Sequence, residues 1–208
     1  MHVAFDMDGV LLDVEANLEW LERALNDALT AVGVEPTAQR RALLHPRNLR
    51  DFPSAARELG VDPDTLWPRR HDAYVREKTA AIHDGEIGPF PDVDRVHDIA
   101  AEYPVSVISN SPQPIVDTFL TDTGLDSTVE VAIGRGSTID ALDRMKPDPA
   151  YFETLHSQVG EEEYVYVGDT SSDALFAGRT GMDFIHLNRE RGPIDSMAAV
   201  ERRLSDRE

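Results

Sequence analysis

The chain opens with His2-Val3-Ala4-Phe5-Asp6-Met7-Asp8-Gly9. Its first four residues are a short, mostly apolar run with β-favouring side chains, which predicts a buried strand. Two aspartates follow two positions apart, and residues i and i+2 of an extended chain face the same side. Asp6 and Asp8 can therefore converge on one point, where two carboxylates repel unless a cation or a shared proton lies between them. The alternative is a strand that ends in a solvated acidic turn.

Composition restricts the class of protein. The chain has 208 residues and is 41% hydrophobic, which is enough for a packed core. It contains no cysteine, which excludes disulfides, thiolate zinc sites and cysteine nucleophiles. No apolar run reaches the ~18 residues of a membrane span, and the first strand begins almost at Met1, with no space for a signal peptide. We therefore expect a cytoplasmic protein with no membrane partner.

The charge balance is strongly acidic. There are 39 acidic residues against 20 basic ones, a net charge of −19, and the only lysines are Lys78 and Lys146. Such a surface repels the phosphates of nucleic acids, so we expect no nucleic-acid partner. It also destabilises a compact fold unless salt screens the repulsion, which favours a halophilic protein over an ordinary acidic one.

The spacing of apolar residues changes along the chain. Residues 14–88 have apolar positions three and four apart, which predicts helices, and they contain no strand pattern. From Pro91 onward, short apolar strands alternate with helices, which is typical of parallel βαβ units. We predict the α/β class, with a Rossmann-like parallel-sheet core formed by residues 1–13 and 89–208. Residues 14–88 are too long for a plain connection and are predicted to be an inserted all-helical cap.

Several predicted strands end in polar residues of one chemical kind. Residues 105–108 are followed by Ser109-Asn110-Ser111, and residues 164–167 by Gly168-Asp169-Thr170-Ser171-Ser172-Asp173. Lys146 precedes another predicted helix. Ligands of open parallel sheets bind beyond the carboxyl ends of the strands. We therefore expect these residues to meet the two aspartates of the first strand there.

The residue types suit phosphoryl chemistry. Ser109 and Asn110 precede a helix, whose free N–H groups and dipole favour an anion. Asp169 and Asp173 are four residues apart, and carboxylates from two strands suit Mg2+, which prefers oxygen ligands. Lys146 would offset the charge of a phosphate and of a carboxylate nucleophile. Each residue alone has a simpler explanation as a cap, a loop acid or a surface cation, but their order and placement together favour a site.

Four segments resemble the four motifs of the haloacid dehalogenase-like (HAD) hydrolase superfamily. They are Asp6-Met7-Asp8-Gly9-Val10, the strand-ending Ser109, Lys146-Pro147-Asp148-Pro149 and Gly168-Asp169-Thr170-Ser171-Ser172-Asp173. The helical insert resembles the cap of the phosphoglycolate phosphatase-like and β-phosphoglucomutase-like branches. The resemblance covers nearly the whole chain. It implies an enzyme, a Mg2+-dependent phosphatase that hydrolyses a small phosphorylated metabolite through an aspartyl-phosphate.

The resemblance implies the chemical roles of three residues. Asp6 would be the nucleophile and a Mg2+ ligand. Asp8 would be the acid/base and would also give its backbone carbonyl to the metal. Lys146 would pair with Asp6 and with the phosphate. A carboxylate nucleophile divides a very slow hydrolysis into two easier steps.

The remaining motif residues would hold the phosphate and the metal. The resemblance implies that Ser109 and Asn110 bind the transferring phosphate. Asp169 would be a metal ligand, and Asp173 a ligand or the partner of one. Val10 stands where many phosphatases have threonine, and because valine occurs there in mutase-like members, a phosphomutase remains an alternative. A non-catalytic receiver-like phospho-acceptor is a weaker alternative, since receivers are shorter and have no cap.

The helical segment is basic within an acidic chain. Between Arg40 and Lys78 there are nine basic and six acidic residues. A positive cap on a negative body would steer anions toward the cleft. Arg47 and Arg50 lie between predicted helical pieces, and we predict that they contact an anionic group of the substrate beyond its phosphate. The alternative is that these arginines are solvated or paired with acids.

Overall fold

The computed structural model describes residues 1–160 and 162–207, and its centre is a parallel β-sheet. The strands are β1 (His2–Phe5), β2 (Leu12–Asp13), β3 (Gly88–Pro89), β4 (Val105–Pro112), β5 (Val131–Arg135), β6 (Tyr164–Gly168) and β7 (Asp183–His186). Five of them form the main sheet in the order β5-β4-β1-β6-β7, and each neighbouring pair runs parallel. The predicted α/β class with a Rossmann-like sheet is confirmed.

The first strand lies at the centre of this sheet. Val3 pairs with Val105 on one side and with Val165 on the other. Every residue of β1 and of β6 is buried, so both faces of the sheet are covered. Because the strands are parallel, the residues that follow β1, β4 and β6 emerge at one edge. This register places the predicted motifs side by side.

Helices account for most of the remaining structure. The helices are α1 (Glu19–Thr30), α2 (Ala38–Leu43), α3 (Phe52–Glu58), α4 (Pro63–His83), α5 (Arg95–Ala100), α6 (Gln113–Thr123), α7 (Ala150–Val159), α8 (Ser171–Thr180) and α9 (Met197–Ser205). Residues 14–87 are all described, and their helices and turns include no strand. None of the described helices has both the length and the apolar composition of a bilayer span.

The longest helix, α4, positions the helical segment over the sheet. It begins at Pro63, because the Asp62 side chain accepts hydrogen bonds from the backbone N–H groups of Asp64 and Thr65, and proline suits the first turn of a helix. It packs against α1, where Trp20 meets Tyr74 edge to face at 5.2 Å between ring centroids. Aromatic packing thus fixes the face that α4 turns toward the core.

Two features of the fold were not predicted from the pattern. The two-residue strands β2 and β3 pair antiparallel, so the chain enters and leaves the helical segment side by side. The strand expected over residues 105–108 continues to Pro112, because β5 resumes pairing there after an irregularity. Residues 109–111 therefore leave the regular ladder at the edge where the motifs meet.

Candidate active site

Three carboxylates converge at the carboxyl edge of the sheet. Asp6 follows β1, Asp169 follows β6, and Asp173 lies in the first turn of α8; oxygens of all three lie within 4.8 Å of one another. Gly9 allows this approach, because its φ is +79° and a Cβ there would lie 2.3 Å from Asp169 Oδ2. Three of the four aspartates predicted to meet at this edge therefore lie together.

Lys146 is the cation at the centre of this cluster. Its Nζ lies 2.9 Å from Asp6 Oδ1 and donates to Asp173 Oδ1 at 2.8 Å. It also donates to the Tyr166 hydroxyl at 2.6 Å and to the Ile108 carbonyl at 3.2 Å. Lys146 is 3% exposed, so this pairing takes place away from bulk water. The four groups hold the ammonium in one position beside Asp6.

The ionisation of the cluster follows from burial and from these contacts. Burial raises the pKa of Asp6 well above its usual value; Lys146 opposes the shift, and Asp173 and Asp169 add to it. Burial also raises the pKa of Asp169, to about 6, with Asp173 contributing. Burial acts to raise the pKa of Asp173 as well, but the charge of Lys146 and the hydrogen bonds from Lys146 and Thr170 outweigh it, so the pKa of Asp173 is lowered. Asp6 and Asp169 thus lie where another positive charge would be favourable.

Asp8 is outside the group of three carboxylates and has hydrogen-bond partners of its own. Its Oδ1 accepts a hydrogen bond from Lys78 Nζ at 2.6 Å, and its Oδ2 accepts one from the Ser111 hydroxyl at 2.7 Å. Lys78 also donates to Ser111 Oγ at 2.9 Å. Burial lowers the pKa of Lys78, but the Asp8 carboxylate more than compensates and raises it. Lys78 lies on α4, so the helical segment supplies the buried cation that forms an ion pair with Asp8.

The two residues predicted to bind phosphate have different environments. Ser109 is buried, and its Oγ accepts the Ser111 N–H at 3.1 Å, which leaves its hydroxyl hydrogen available to donate. The Asn110 carboxamide instead faces the lysine loop, which is the segment of residues 143–149 that carries Lys146. There its Oδ1 accepts the Lys146 N–H at 2.8 Å. Its Nδ2 donates to the Lys146 carbonyl at 3.4 Å. Asn110 therefore fixes the backbone that carries Lys146.

A cleft of about 670 Å³ opens between the sheet edge and the helical segment. Its lining includes Asp8 and Asp169 from the edge of the sheet, and His45, Arg47 and Tyr74 from the helical segment. This volume lies within the range typical of small-molecule sites. Two of the motif carboxylates thus face a space that can admit a ligand.

The two arginines predicted to contact substrate have partners in this structure. Arg47 lines the cleft but is exposed and forms an ion pair with Glu15 at 3.0 Å. Arg50 donates to the carbonyls of Met145 and Lys146, at 3.0 and 3.1 Å. Arg50 therefore connects the helical segment to the lysine loop through these two hydrogen bonds. Substrate contact by either arginine stays a prediction.

The donor set fits Mg2+. Asp169 Oδ1 is buried and has no hydrogen-bond partner among the described residues, so this carboxylate oxygen can serve as a metal ligand. Asp6 and Asp169 supply the oxygen ligands that Mg2+ prefers. Asp173 has Lys146 and the Thr170 cap of α8 as partners, and its role as a metal ligand or as the partner of one stays a prediction. The Asp8 side chain lies outside this cluster, and the metal contact predicted for its backbone carbonyl stays a prediction.

The sequence pattern did not identify Lys78 and Tyr166 as parts of the site, and it placed Ser111 at the site without giving it a role. The sequence held one signal for Lys78, because the chain has only two lysines. In the structure both of them are buried against an aspartate of the first motif. Ser111 follows Ser109 by two positions and so shares its side of an extended strand. Tyr166 lies within the apolar run of a predicted strand, and nothing in the sequence distinguishes it from a tyrosine of the hydrophobic core.

Comparisons of sequence and structure relate the chain to known proteins. The phosphoglycolate phosphatase of Yersinia pestis is 29% identical over 198 residues, covering 89% of this chain and 79% of that protein. CbbY from Rhodobacter sphaeroides, solved in complex with phosphate, has a TM-score of 0.67 at 20% identity and covers 92% of this chain and 89% of its own. A predicted phosphatase from Clostridium acetobutylicum has a TM-score of 0.69 at 13% identity, covering 99% and 98%. At such identities the solved structures show a shared fold. The profile described as haloacid dehalogenase-like hydrolase matches residues 3–187, and this chain therefore belongs to the haloacid dehalogenase-like hydrolase family.

Proposed function

We propose that this HAD-family phosphatase hydrolyses a small phosphorylated metabolite through an aspartyl-phosphate on Asp6, with Mg2+ as cofactor. The observation that carries the proposal is the position of Lys146, held between Asp6 and Asp173 with Asp169 beside them. Burying a lysine with two carboxylates costs free energy, and ionisable groups with strongly shifted pKa values are typical of functional sites. Asp169, beside this pair, lines the cleft.

Asp6 is placed to act as the nucleophile. Its Oδ1 accepts hydrogen bonds from the Met7 N–H at 2.7 Å and from Lys146, which fixes the carboxylate plane. The hydrogen bonds found among the described residues leave Oδ2 unoccupied, so this oxygen can attack phosphorus. Mg2+ bound by Asp6 and Asp169 would keep Asp6 ionised and offset the charge of the phosphate.

The phosphate would bind between Lys146 and the end of β4. The Ser109 hydroxyl can donate to a phosphate oxygen while its Oγ still accepts the Ser111 N–H. Because the Asn110 carboxamide is committed to the Lys146 backbone, Asn110 would contribute its own backbone N–H to the phosphate. Lys146 would add a positive charge on the same side.

Asp8 would transfer the protons. It would donate to the leaving alcohol and then accept a proton from the attacking water. In this structure each oxygen of Asp8 accepts one hydrogen bond, from Lys78 or from Ser111, and each keeps a second lone pair that can take a proton. We propose that Lys78 positions Asp8 when the helical segment lies over the site.

The same geometry supports a division into two domains. We propose that residues 1–13 and 89–208 form the core and residues 14–88 the cap, with the β2–β3 pair as the hinge between them. Cap closure would exclude water from the cleft and complete the contacts to Asp8.

The substrate would be a small phosphate ester within the cytoplasm, without nucleic acid or membrane as partner. The cleft volume and the name of the Yersinia pestis relative support this class. A phosphomutase shares the aspartyl-phosphate, and it would need a bisphosphate activator that a phosphatase does not. A receiver-like module is disfavoured by the helical segment of residues 14–87 and by the match to a hydrolase family.

The experiment compares wild type with Asp6→Asn and with Asp98→Asn, an exposed aspartate on α5 that serves as the charge-matched control. With p-nitrophenyl phosphate and Mg2+, the wild type and the control should release phosphate, and Asp6→Asn should not. Circular dichroism and Tm report whether each variant is folded. A folded Asp6→Asn protein with wild-type turnover would refute Asp6 as the nucleophile. Full activity in EDTA would refute the requirement for Mg2+. A bisphosphate requirement for turnover would indicate the mutase.

A further inference from the structure

An arginine that follows the last strand of the sheet contacts two other parts of the chain. Nη1 of Arg189 donates to both oxygens of the Asp92 carboxylate, at 2.8 and 2.9 Å. Nη2 donates to the Val10 carbonyl at 2.5 Å. The guanidinium also stacks on the Phe90 ring, 4.2 Å from its centroid. The Arg189 side chain is only 13% exposed, so water competes little for these contacts.

A local turn sets the position of Arg189 at the carboxyl edge of the sheet. The Asn188 side-chain oxygen accepts the backbone N–H groups of Glu190 and Arg191, at 3.1 and 2.9 Å. An asparagine that bonds the backbone just after itself in this way stabilises a turn. The chain therefore turns soon after β7, and Arg189 lines the cleft from this turn.

The carbonyl that Arg189 holds belongs to the turn that carries Asp8. The Met7 carbonyl accepts the N–H groups of Val10 and Leu12, at 3.3 and 2.9 Å. The Leu12 carbonyl accepts the Gly9 N–H at 2.9 Å. These hydrogen bonds close the segment into one compact unit, and Asp8 lies inside it. A hydrogen bond to the Val10 carbonyl therefore also restrains the backbone of Asp8.

The other partners of Arg189 lie where the chain returns from the helical segment. Phe90 follows β3, and its N–H donates to the Leu11 carbonyl at 2.9 Å. Asp92 accepts, at its Oδ2, the N–H of Met197, the first residue of α9, at 2.7 Å. Val10 precedes β2 and Phe90 follows β3, so Arg189 joins the core ends of both strands of the proposed hinge.

A structural ion pair between two loops is the simpler explanation of these contacts. Such a pair needs only the carboxylate of Asp92, and partly exposed ion pairs contribute little to stability. It does not require the second nitrogen of the guanidinium, which is directed at the turn of Asp8. The planar fork of arginine can hold a carboxylate and a carbonyl in fixed relative positions, which a single ammonium cannot do.

We propose that Arg189 is a positioning residue for Asp8, which keeps the acid/base turn in place relative to Asp6 while the helical segment opens and closes. This inference rests on the proposed function and adds a residue outside the four motif segments. Asp6 directly follows β1 and is held by the sheet. Asp8 lies beyond the strand and is bonded to Lys78, across the interface between the helical segment and the sheet. Without an anchor on the side of the sheet, Asp8 would follow Lys78 when the cap moves, and Arg189 supplies that anchor at the Val10 carbonyl.

The first test compares wild type with Arg189→Met, Arg189→Lys and Arg191→Met, an exposed arginine of the same turn that serves as the control. With p-nitrophenyl phosphate the first step needs no proton, whereas the second step needs Asp8 as base. Arg189→Met should lower kcat by about 10- to 100-fold and change kcat/KM, which reports the first step, by less than about threefold. Arg189→Lys should recover part of kcat, and Arg191→Met should match wild type. Equal falls in kcat and kcat/KM would indicate a merely structural role and overturn the proposal.

A double-mutant cycle tests whether Arg189 acts through Asp8. In Asp8→Asn protein the burst of p-nitrophenol reports the first step, and the slow phase after it reports the second. Adding Arg189→Met should change both rates by less than about twofold, because the side chain that Arg189 positions is already absent. Losses as large in the Asp8→Asn background as in wild type would show that Arg189 acts only on the fold, and the proposal would be wrong.

Hydrogen exchange followed by mass spectrometry tests the anchor without catalysis. Peptides that cover residues 7–13 should exchange faster in Arg189→Met than in wild type and Arg191→Met, because the turn has lost its restraint. If Arg189→Met does not fold, Asp92→Asn takes its place in all three measurements, since it weakens the orientation of the guanidinium and leaves Arg189 present. Unchanged exchange of these peptides in a folded variant would overturn the proposal. A wild type that hydrolyses no phosphate ester would refute the proposed function instead, and the exchange measurement would still decide whether Arg189 anchors the turn.

Discussion

Replacing Lys146 with methionine should destabilise the metal-free protein strongly and in a pH-dependent way. The substitution keeps the buried aliphatic chain and removes the ammonium that lies 2.9 Å from Asp6 and 2.8 Å from Asp173. Removing one partner of a buried ion pair typically costs ~3–5 kcal/mol, because the other charge is left uncompensated. For a chain of this size that corresponds to a fall in Tm of roughly 6–20 °C.

The sign of the pH dependence follows from the carboxylates left behind. The pKa of Asp6 is already raised in the folded state, and removal of Lys146 raises it further. A group whose folded pKa lies above its unfolded value contributes stability below the unfolded pKa and loses it as pH rises through the folded pKa. The loss of stability should therefore be larger at pH 8 than at pH 5, because a falling pH favours protonated Asp6, which needs no cation.

The assay is urea and thermal unfolding in EDTA at both pH values, with wild type and Arg69→Met beside the variant. Arg69 is exposed, so its substitution reports only the loss of one positive charge from an acidic chain. A loss of stability equal to that of Arg69→Met, or the same loss at pH 5 and pH 8, would refute the reasoning.

Three further predictions test other parts of the site. Lys78→Met should slow the steady-state turnover of both ethyl phosphate and p-nitrophenyl phosphate by about tenfold or more, because Lys78 orients Asp8, which is the base of the second step for either ester; unchanged turnover of both esters would contradict this role. Mg2+ affinity, measured calorimetrically, should fall by up to about tenfold per pH unit below about 6, where Asp169 takes up a proton; a pH-independent affinity would argue against Asp169 as a ligand. Tm should rise between about 0.1 M and about 2 M KCl because salt screens the net charge of −19; a flat profile would indicate an ordinary acidic protein.

Local sequence signals were enough to predict the sheet and most of the acidic cluster. Asp6 and Asp169 directly follow buried apolar strands, and Lys146 lies in a short motif of its own, so their meeting follows from the parallel order of the strands. The strand order itself, with β1 between β4 and β6, comes from tertiary packing. The two-residue strands β2 and β3 are too short to produce a periodic pattern.

The contacts across the interface could not be predicted from the sequence. Lys78 meets Asp8 across 70 positions, and its helical spacing only places it in the same stripe of α4 as Trp67 and Tyr74. Arg70 lies in that stripe as well, where a charged residue ordinarily indicates the solvated side of a helix. Its burial depends on packing against Leu44 and Tyr74, which only the assembled fold supplies.

The identity of the nucleophile is tested most directly by trapping the phosphorylated enzyme. In Asp8→Asn the first step should proceed with p-nitrophenyl phosphate, whose leaving group needs no proton, and the second step should stall without a base. Stopped-flow absorbance should show a burst of p-nitrophenol of about one equivalent, followed by little turnover. Borohydride reduction of the stalled protein, followed by peptide mass spectrometry, should then find homoserine at position 6 and nowhere else. Homoserine at another aspartate, or steady release of phosphate with Asp6 unmodified, would contradict the assignment.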